Sequence, residues 1–251
     1  FAHCHEKLFP LRFLNPRFRA IHESRCDGPE ECILLYGPMH TSYIAATFYD
    51  VPEYTAWLHE QDFGHTYRFH HLQLKLLHLQ QNMTDRVWLL KAPFHLDNLH
   101  ALVTEYPDAH IIWNHRKPQR SIASMTSLIA HIRNTYHTLD SINLTSATET
   151  AIAFATRALV GPRSAPEQRK KLGDRAHIID VDYDRLVSDP LGTVQAIYDG
   201  LGFTLNEETR ERMLNFLRQK PRHHLGTHRY EHLTVPEDRL PEDPFFGERG
   251  V

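Results

Sequence analysis

The stretch that decides the fold is Tyr106-Pro107-Asp108-Ala109-His110-Ile111-Ile112-Trp113-Asn114-His115-Arg116-Lys117-Pro118. Tyr106-Pro107-Asp108 is turn chemistry that closes a preceding helix. Ile111 to Trp113 is a short, nearly continuous apolar run, the pattern of a strand covered on both faces. Beyond Pro118 the period changes. Ile122, Met125, Ile129 and Ile132 recur at helical spacing. One strand, one turn and one helix therefore follow in succession.

The same alternation extends outward. Apolar runs at Val87 to Leu90 and His177 to Val181 read as two further strands. Helical faces stand between and around them. Phe69, Leu72, Leu76 and Leu79 come before the first run. Leu96, Leu99 and Val103 lie between the first and second, and Leu191, Val194, Tyr198 and Leu201 follow the third. The last helix is well punctuated, with Asp189 as N-cap, Pro190 in the first turn, and Gly200 and Gly202 at its end. Strands alternating with helices predict an α/β fold, a parallel sheet flanked by helices. Such sheets bind ligands beyond the carboxyl ends of their strands, so the residues after each strand are the candidates for function.

After the first run comes Lys91-Ala92-Pro93-Phe94-His95. A lysine closing a buried strand needs a counter-charge, from an anionic ligand or a salt bridge, or else a path to solvent. After the second comes Arg116, then a helix carrying Arg120, Ser121 and Ser124. A guanidinium, hydroxyls and a helix N-terminus can converge on an anion, or form a surface charge cluster with an ordinary cap. Tyr183 follows the third strand, as a ring for a base or as a packing residue. Gly226 lies among basic and polar groups between Arg222 and Tyr230, as in a loop closing over a phosphate, although basic loops are common.

Bulk properties narrow the field. With 251 residues, 28 Lys and Arg and 31 Asp and Glu, the net charge is −3. The chain has no global attraction for nucleic acid, so an anionic ligand must be held by a local cationic cluster. Cys4, Cys26 and Cys32 match no zinc spacing and no disulfide framework, which points to a reducing cytoplasm. The 20 histidines are scattered and form no metal-ligand set. No apolar run nears the roughly 20 residues of a membrane span.

Taken together, these segments resemble the 3'-phosphoadenosine-5'-phosphosulfate (PAPS)-dependent sulfotransferases, in particular the bacterial-type small-molecule group. Trp88 to Leu96 is similar to the family's W-x-L-K-[SA]-P-x-H-L stretch. Tyr106 to Ala109 with His115 to Pro118 resembles [FY]-P-D-A … H-R-D-P, with Lys117 in place of the Asp. Tyr183 to Pro190 resembles Y-x-D-L-x-x-D-P, and Gly226 to Tyr230 resembles G-x-H-R-Y. Ile21 to Glu23 and Asp27 to Cys32 match a further block, so the likeness runs from about Arg19 to about Tyr230 in the family's order.

The resemblance implies transfer of a sulfonate from PAPS to a hydroxyl or amine of a small-molecule, lipid or glycan acceptor, with 3'-phosphoadenosine 5'-phosphate (PAP) as product. It implies that Arg116 and Ser124 hold the 3'-phosphate, that Tyr183 lies near the adenine, and that Gly226, His228 and Arg229 close the nucleotide site. Lys91 is the candidate for the sulfonate and bridging oxygens. His95 and His22 are candidates for the base. The family's P-R-[ST]-G-T-T loop, and the acidic residue that follows it, have no counterpart here. The expectation is therefore a single domain over residues 1–251, the C-terminal majority of such an enzyme, with its first strand and phosphate loop absent and 231–251 as a tail. The alternative is an inactive relative that binds a nucleotide or a partner. A nucleotide kinase would need a Walker-type loop and magnesium carboxylates, and neither is visible.

Overall fold

A computed structural model of the protein describes residues 13–16, 18–23, 25, 27–81, 86–136, 144–221, 223–228, 230, 233 and 235–247. Arg229, Cys4 and Cys26 lie outside these residues. Among the described residues the sheet has two parallel strands, β1 (His110–His115) and β2 (His177–Asp182), with His110 opposite His177 and His115 opposite Asp182. Alternation along the strands puts Ile111, Trp113 and His115 on one face with Ile178, Asp180 and Asp182.

Helices supply most of the mass. Before β1 come α1 (Tyr43–Phe48), α2 (Pro52–Glu60), α3 (Gly64–Gln81) and α4 (Leu99–Glu105). The crossover to β2 holds α5 (Pro118–Tyr136), α6 (Leu144–Leu159) and α7 (Ala165–Leu172), as a parallel connection requires. After β2 come α8 (Tyr183–Ser188), α9 (Pro190–Gly200) and α10 (Glu207–Gln219). The cap read for α9 is present: the Asp189 carboxylate accepts from Gly192 N at 3.0 Å. Gly200 lets that helix lie close to the sheet, since a Cβ there would stand 3.1 Å from Ile179 Cδ1.

The core is aromatic at its centre. The Tyr43 and Phe94 rings stack at 3.9 Å, and Phe154 meets Phe94 edge-on at 5.1 Å. This joins α1, the 3-10 turn Pro93–Asn98 and α6. α5 buries Ile122, Ile129 and Ile132 as its periodicity requires, and also Arg133. The Arg133 guanidinium donates to Ala46 O at 2.7 Å, to Ser146 Oγ at 2.8 Å and to Thr150 Oγ1 at 3.0 Å through its two terminal nitrogens.

Two expectations are corrected. Val87 to Leu90 is not a strand in the described sheet. Val87 is 83% exposed and Leu89 is 89% exposed. A strand exists only where a ladder partner pairs its backbone, and none does so here among the described residues. Lys91 therefore does not end a buried strand. Second, α3 forms as expected but turns the other way. Leu72, Leu76 and Leu79 are exposed, whereas Thr66, Tyr67, His70 and Leu74 are buried.

The C-terminal stretch expected as a tail packs against the body over its described part. Val235 joins the core, Asp243 is buried, and Arg239 makes paired bonds to Glu149 at 2.7 and 2.6 Å. Among the described residues no helix is long and apolar enough to cross a membrane.

Candidate functional site

β1 and β2 run parallel and end in register, so Arg116 and Tyr183, each the next residue, emerge at the same end of the sheet. The Arg116 guanidinium lies 4.6 Å from the centre of the Tyr183 ring and 5.9 Å from that of Tyr230. One Nη donates to the Tyr230 hydroxyl, while Nε is buried with no hydrogen-bond partner. Among the described residues no carboxylate pairs with Arg116. Its neighbours differ: Arg120 meets Asp184 at 3.3 Å, and Arg169 holds Asp180 at 2.7 and 2.8 Å. A half-buried cation with an unused donor is costly unless an anion completes it. Pro118 starts α5 two residues later, which places the amides and positive end of a 19-residue helix beside that charge. Ser124, half-buried, stands on the same helix.

The loop before Tyr230 lies against this helix. The His228 Nε2 is 2.8 Å from Ser127 Oγ, and its ring is 5.3 Å from that of Tyr230. Gly226 adopts φ +109°, where a side chain is strained, and a Cβ there would stand 3.6 Å from Ala20 Cβ. The loop thus spans from α5 to the helical turn Phe18–Ile21. His22 follows that turn, its ring stacked on Phe18, and Glu23 is held by Lys220 at 2.9 Å.

Lys91 and His95 form a second group. Lys91 is 66% exposed and pairs with the Glu31 carboxylate, while its carbonyl accepts from Cys32 N at 2.9 Å. The counter-charge sought in the sequence is thus present in the chain. His95 Nδ1 lies 2.9 Å from the Tyr67 hydroxyl and 3.3 Å from that of Tyr36, and Nε2 is buried without a partner. Burial, helped by the charges of His70 and Lys91, pushes the His95 imidazole down to about 4, so the ring is neutral at physiological pH. Beyond it, His70 Nδ1 meets Tyr106 OH at 2.8 Å, and His71 meets Glu105 at 2.6 Å.

The structure therefore gathers Arg116, Tyr183 and His228 at one end of the sheet, with Gly226 in the same loop as His228. It gathers Lys91 and His95 at the 3-10 turn, while His22 follows the helical turn Phe18–Ile21 and stacks on Phe18. Sequence reasoning passed over Tyr36, Tyr67 and His70, whose role depends on partners distant in the chain. It also gave no separate part to Glu31 or Tyr230, although both fall inside stretches that were singled out.

The fold is α/β, and the ends of its parallel strands bring together a guanidinium, an aromatic ring and a helix N-terminus. The sequence profile of the Sulfotransferase family matches residues 4–207, and the chain belongs to that family. Crystal structures of two family members resemble it. Sulfotransferase STF1 from Mycobacterium tuberculosis H37Rv shares 31% identity with a TM-score of 0.71, over 86% of this chain and 57% of that one. Sulfotransferase STF9 from Mycobacterium avium, at 23% identity, shares the fold with a TM-score of 0.70, over 96% of this chain and 62% of that one. The chain thus spans about three fifths of the length of these solved relatives. No curated protein matches it.

Proposed function

We propose that this chain carries the 3'-phosphate side of a PAPS site and belongs to an enzyme that moves a sulfonate to a hydroxyl or amine of a small molecule, lipid or glycan. The observation that carries the reading is Arg116, a half-buried cation with a buried, unpartnered Nε and no carboxylate partner among the described residues. A phosphate dianion supplies what that group lacks, and the start of α5 adds backbone donors. Tyr183, already under the guanidinium, offers a ring to the adenine. Ser124 and the loop holding Gly226 and His228 complete the enclosure, and the resemblance adds Arg229 to the nucleotide contacts.

In the reaction an acceptor oxygen or nitrogen attacks sulfur in line, the bond from sulfur to the bridging oxygen breaks, and PAP departs with the electron pair. The protein's work is to position the reactants and neutralise charge on the leaving phosphate. Lys91 serves there by exchanging Glu31 for the donor's oxygens. His95 and His22 are the candidates to receive the acceptor's proton, and a neutral ring such as His95 is the form that can accept one. Calorimetric titration with PAP tests the reading. Wild type binds, and Arg116→Ala loses about tenfold or more. Equal affinity in the two proteins would remove the assignment.

A further inference from the structure

The residue before Arg116 is held more firmly than a strand end requires. His115 is 3% exposed and uses both ring nitrogens: Nε2 lies 2.8 Å from Asp180 Oδ1, and Nδ1 lies 3.2 Å from Asp243 Oδ2. Burial alone would raise the Asp180 carboxyl, but hydrogen bonds from Arg169 and His115 outweigh it and hold the group below its ordinary range, so it is ionised. Asp243 is itself buried, and its other oxygen accepts from Phe245 N at 3.0 Å. The two contacts hold the ring from both sides, one from the neighbouring strand and one from the C-terminal stretch. The ring stacks on Phe245 at 3.8 Å and 4°, and on Trp113 at 4.7 Å and 20°.

Asp243 lies 128 positions away in the chain. Residues 241–246 are therefore a strap laid over the end of β1, and His115 is the point where it is fastened. The ladder ends at His115 opposite Asp182, and among the described residues no strand pairing holds the backbone beyond it. The direction in which Arg116 leaves the sheet is set by that last residue and by the start of α5.

We propose that His115 is a positioning residue for Arg116: the buried imidazole clamped between Asp180 and Asp243 fixes the backbone from which the guanidinium reaches Tyr183 and Tyr230. This rests on the reading of Arg116 as the ligand of a 3'-phosphate. It further assigns the C-terminal strap a part in nucleotide recognition without direct contact. Arg169, Asp180, His115 and Asp243 form one hydrogen-bonded series, so removing a member slackens the clamp as a unit.

The test compares PAP with adenosine 5'-monophosphate, which lacks the 3'-phosphate, by calorimetry on the full chain. Asp243→Asn keeps the strap's volume and lies outside the sheet, so it is made alongside His115→Gln and Arg116→Ala. Arg116→Ala should abolish the preference for PAP. Asp243→Asn and His115→Gln should each reduce that preference about fivefold, while affinity for the monophosphate stays within about twofold. A preference unchanged in both clamp variants, with Arg116→Ala losing it, would sink the positioning role and leave the phosphate reading standing. Equal weakening of both nucleotides would make His115 a structural residue only, and also overturns it. A wild type that does not distinguish the two nucleotides would overturn the phosphate reading and this inference with it.

Discussion

Asp97 should make the fold less stable as the solution becomes more alkaline, and Asp97→Asn should remove that loss. The side chain is buried against Tyr43, whose hydroxyl donates to Oδ2 at 3.0 Å. Burial dominates over this bond and over the charge of Arg157, and pushes the carboxyl from the usual 3.8 to about 7. The folded chain thus keeps a proton that the unfolded chain gives up, across the window from about pH 4 to about pH 7. Stability is fully present below that window and falls as pH rises through it. Each pH unit is worth about 1.36 kcal/mol, so the whole window is worth on the order of 4 kcal/mol. Asparagine keeps an acceptor for Tyr43 and cannot ionise. Urea unfolding of both proteins between about pH 4.5 and about pH 8 gives the difference curve, in which other titrations cancel. The variant should gain relative to wild type by several kcal/mol as pH rises. A difference that does not change with pH would refute the argument.

Three further outcomes follow from the same structure. In the Asp97→Asn background stability should fall on acidification. Burial, the largest cause in each case, lowers the His59, His70 and His95 imidazoles to about 4, while the unfolded chain takes protons near about 6.5; a melting temperature flat between about pH 7 and about pH 5 would contradict this. Lys91→Ala removes an exposed pair with Glu31, so unfolding should change by less than about 1 kcal/mol, whereas single-turnover transfer from labelled PAPS should fall far more than PAP affinity; equal loss in both would reduce Lys91 to a ground-state contact. Gly226→Ala, at φ +109°, should cost about 1–3 kcal/mol and weaken PAP binding through its loop; unchanged unfolding and binding would remove the loop from the site.

Local signals carried part of the fold. β1, β2, the buried face of α5 and the cap of α9 were legible because an apolar run, a helical period or a capping carboxylate is contained in the segment itself. Val87 to Leu90 has the same run, but pairing depends on a partner that the run does not contain. In α3 the leucines at 72, 76 and 79 suggested the buried face, yet Tyr67 and His70 are buried instead. Tyr67 reaches His95 and His70 reaches Tyr106, partners 28 and 36 positions on. The site divides in the same way. Arg116 and Tyr183 could be found because each follows a strand. The Lys91 partner, Glu31, is 60 positions away, and the His115 partner, Asp243, is 128 away. No local pattern links such pairs.

The central claim is that Arg116 receives the 3'-phosphate of the donor nucleotide, and a crystal structure of the chain grown with PAP tests it most directly. Density for the 3'-phosphate is expected against the Arg116 guanidinium, including its Nε, and the first turn of α5, with the adenine beside Tyr183. Nucleotide bound elsewhere, with Arg116 still unpartnered by any phosphate, would contradict it.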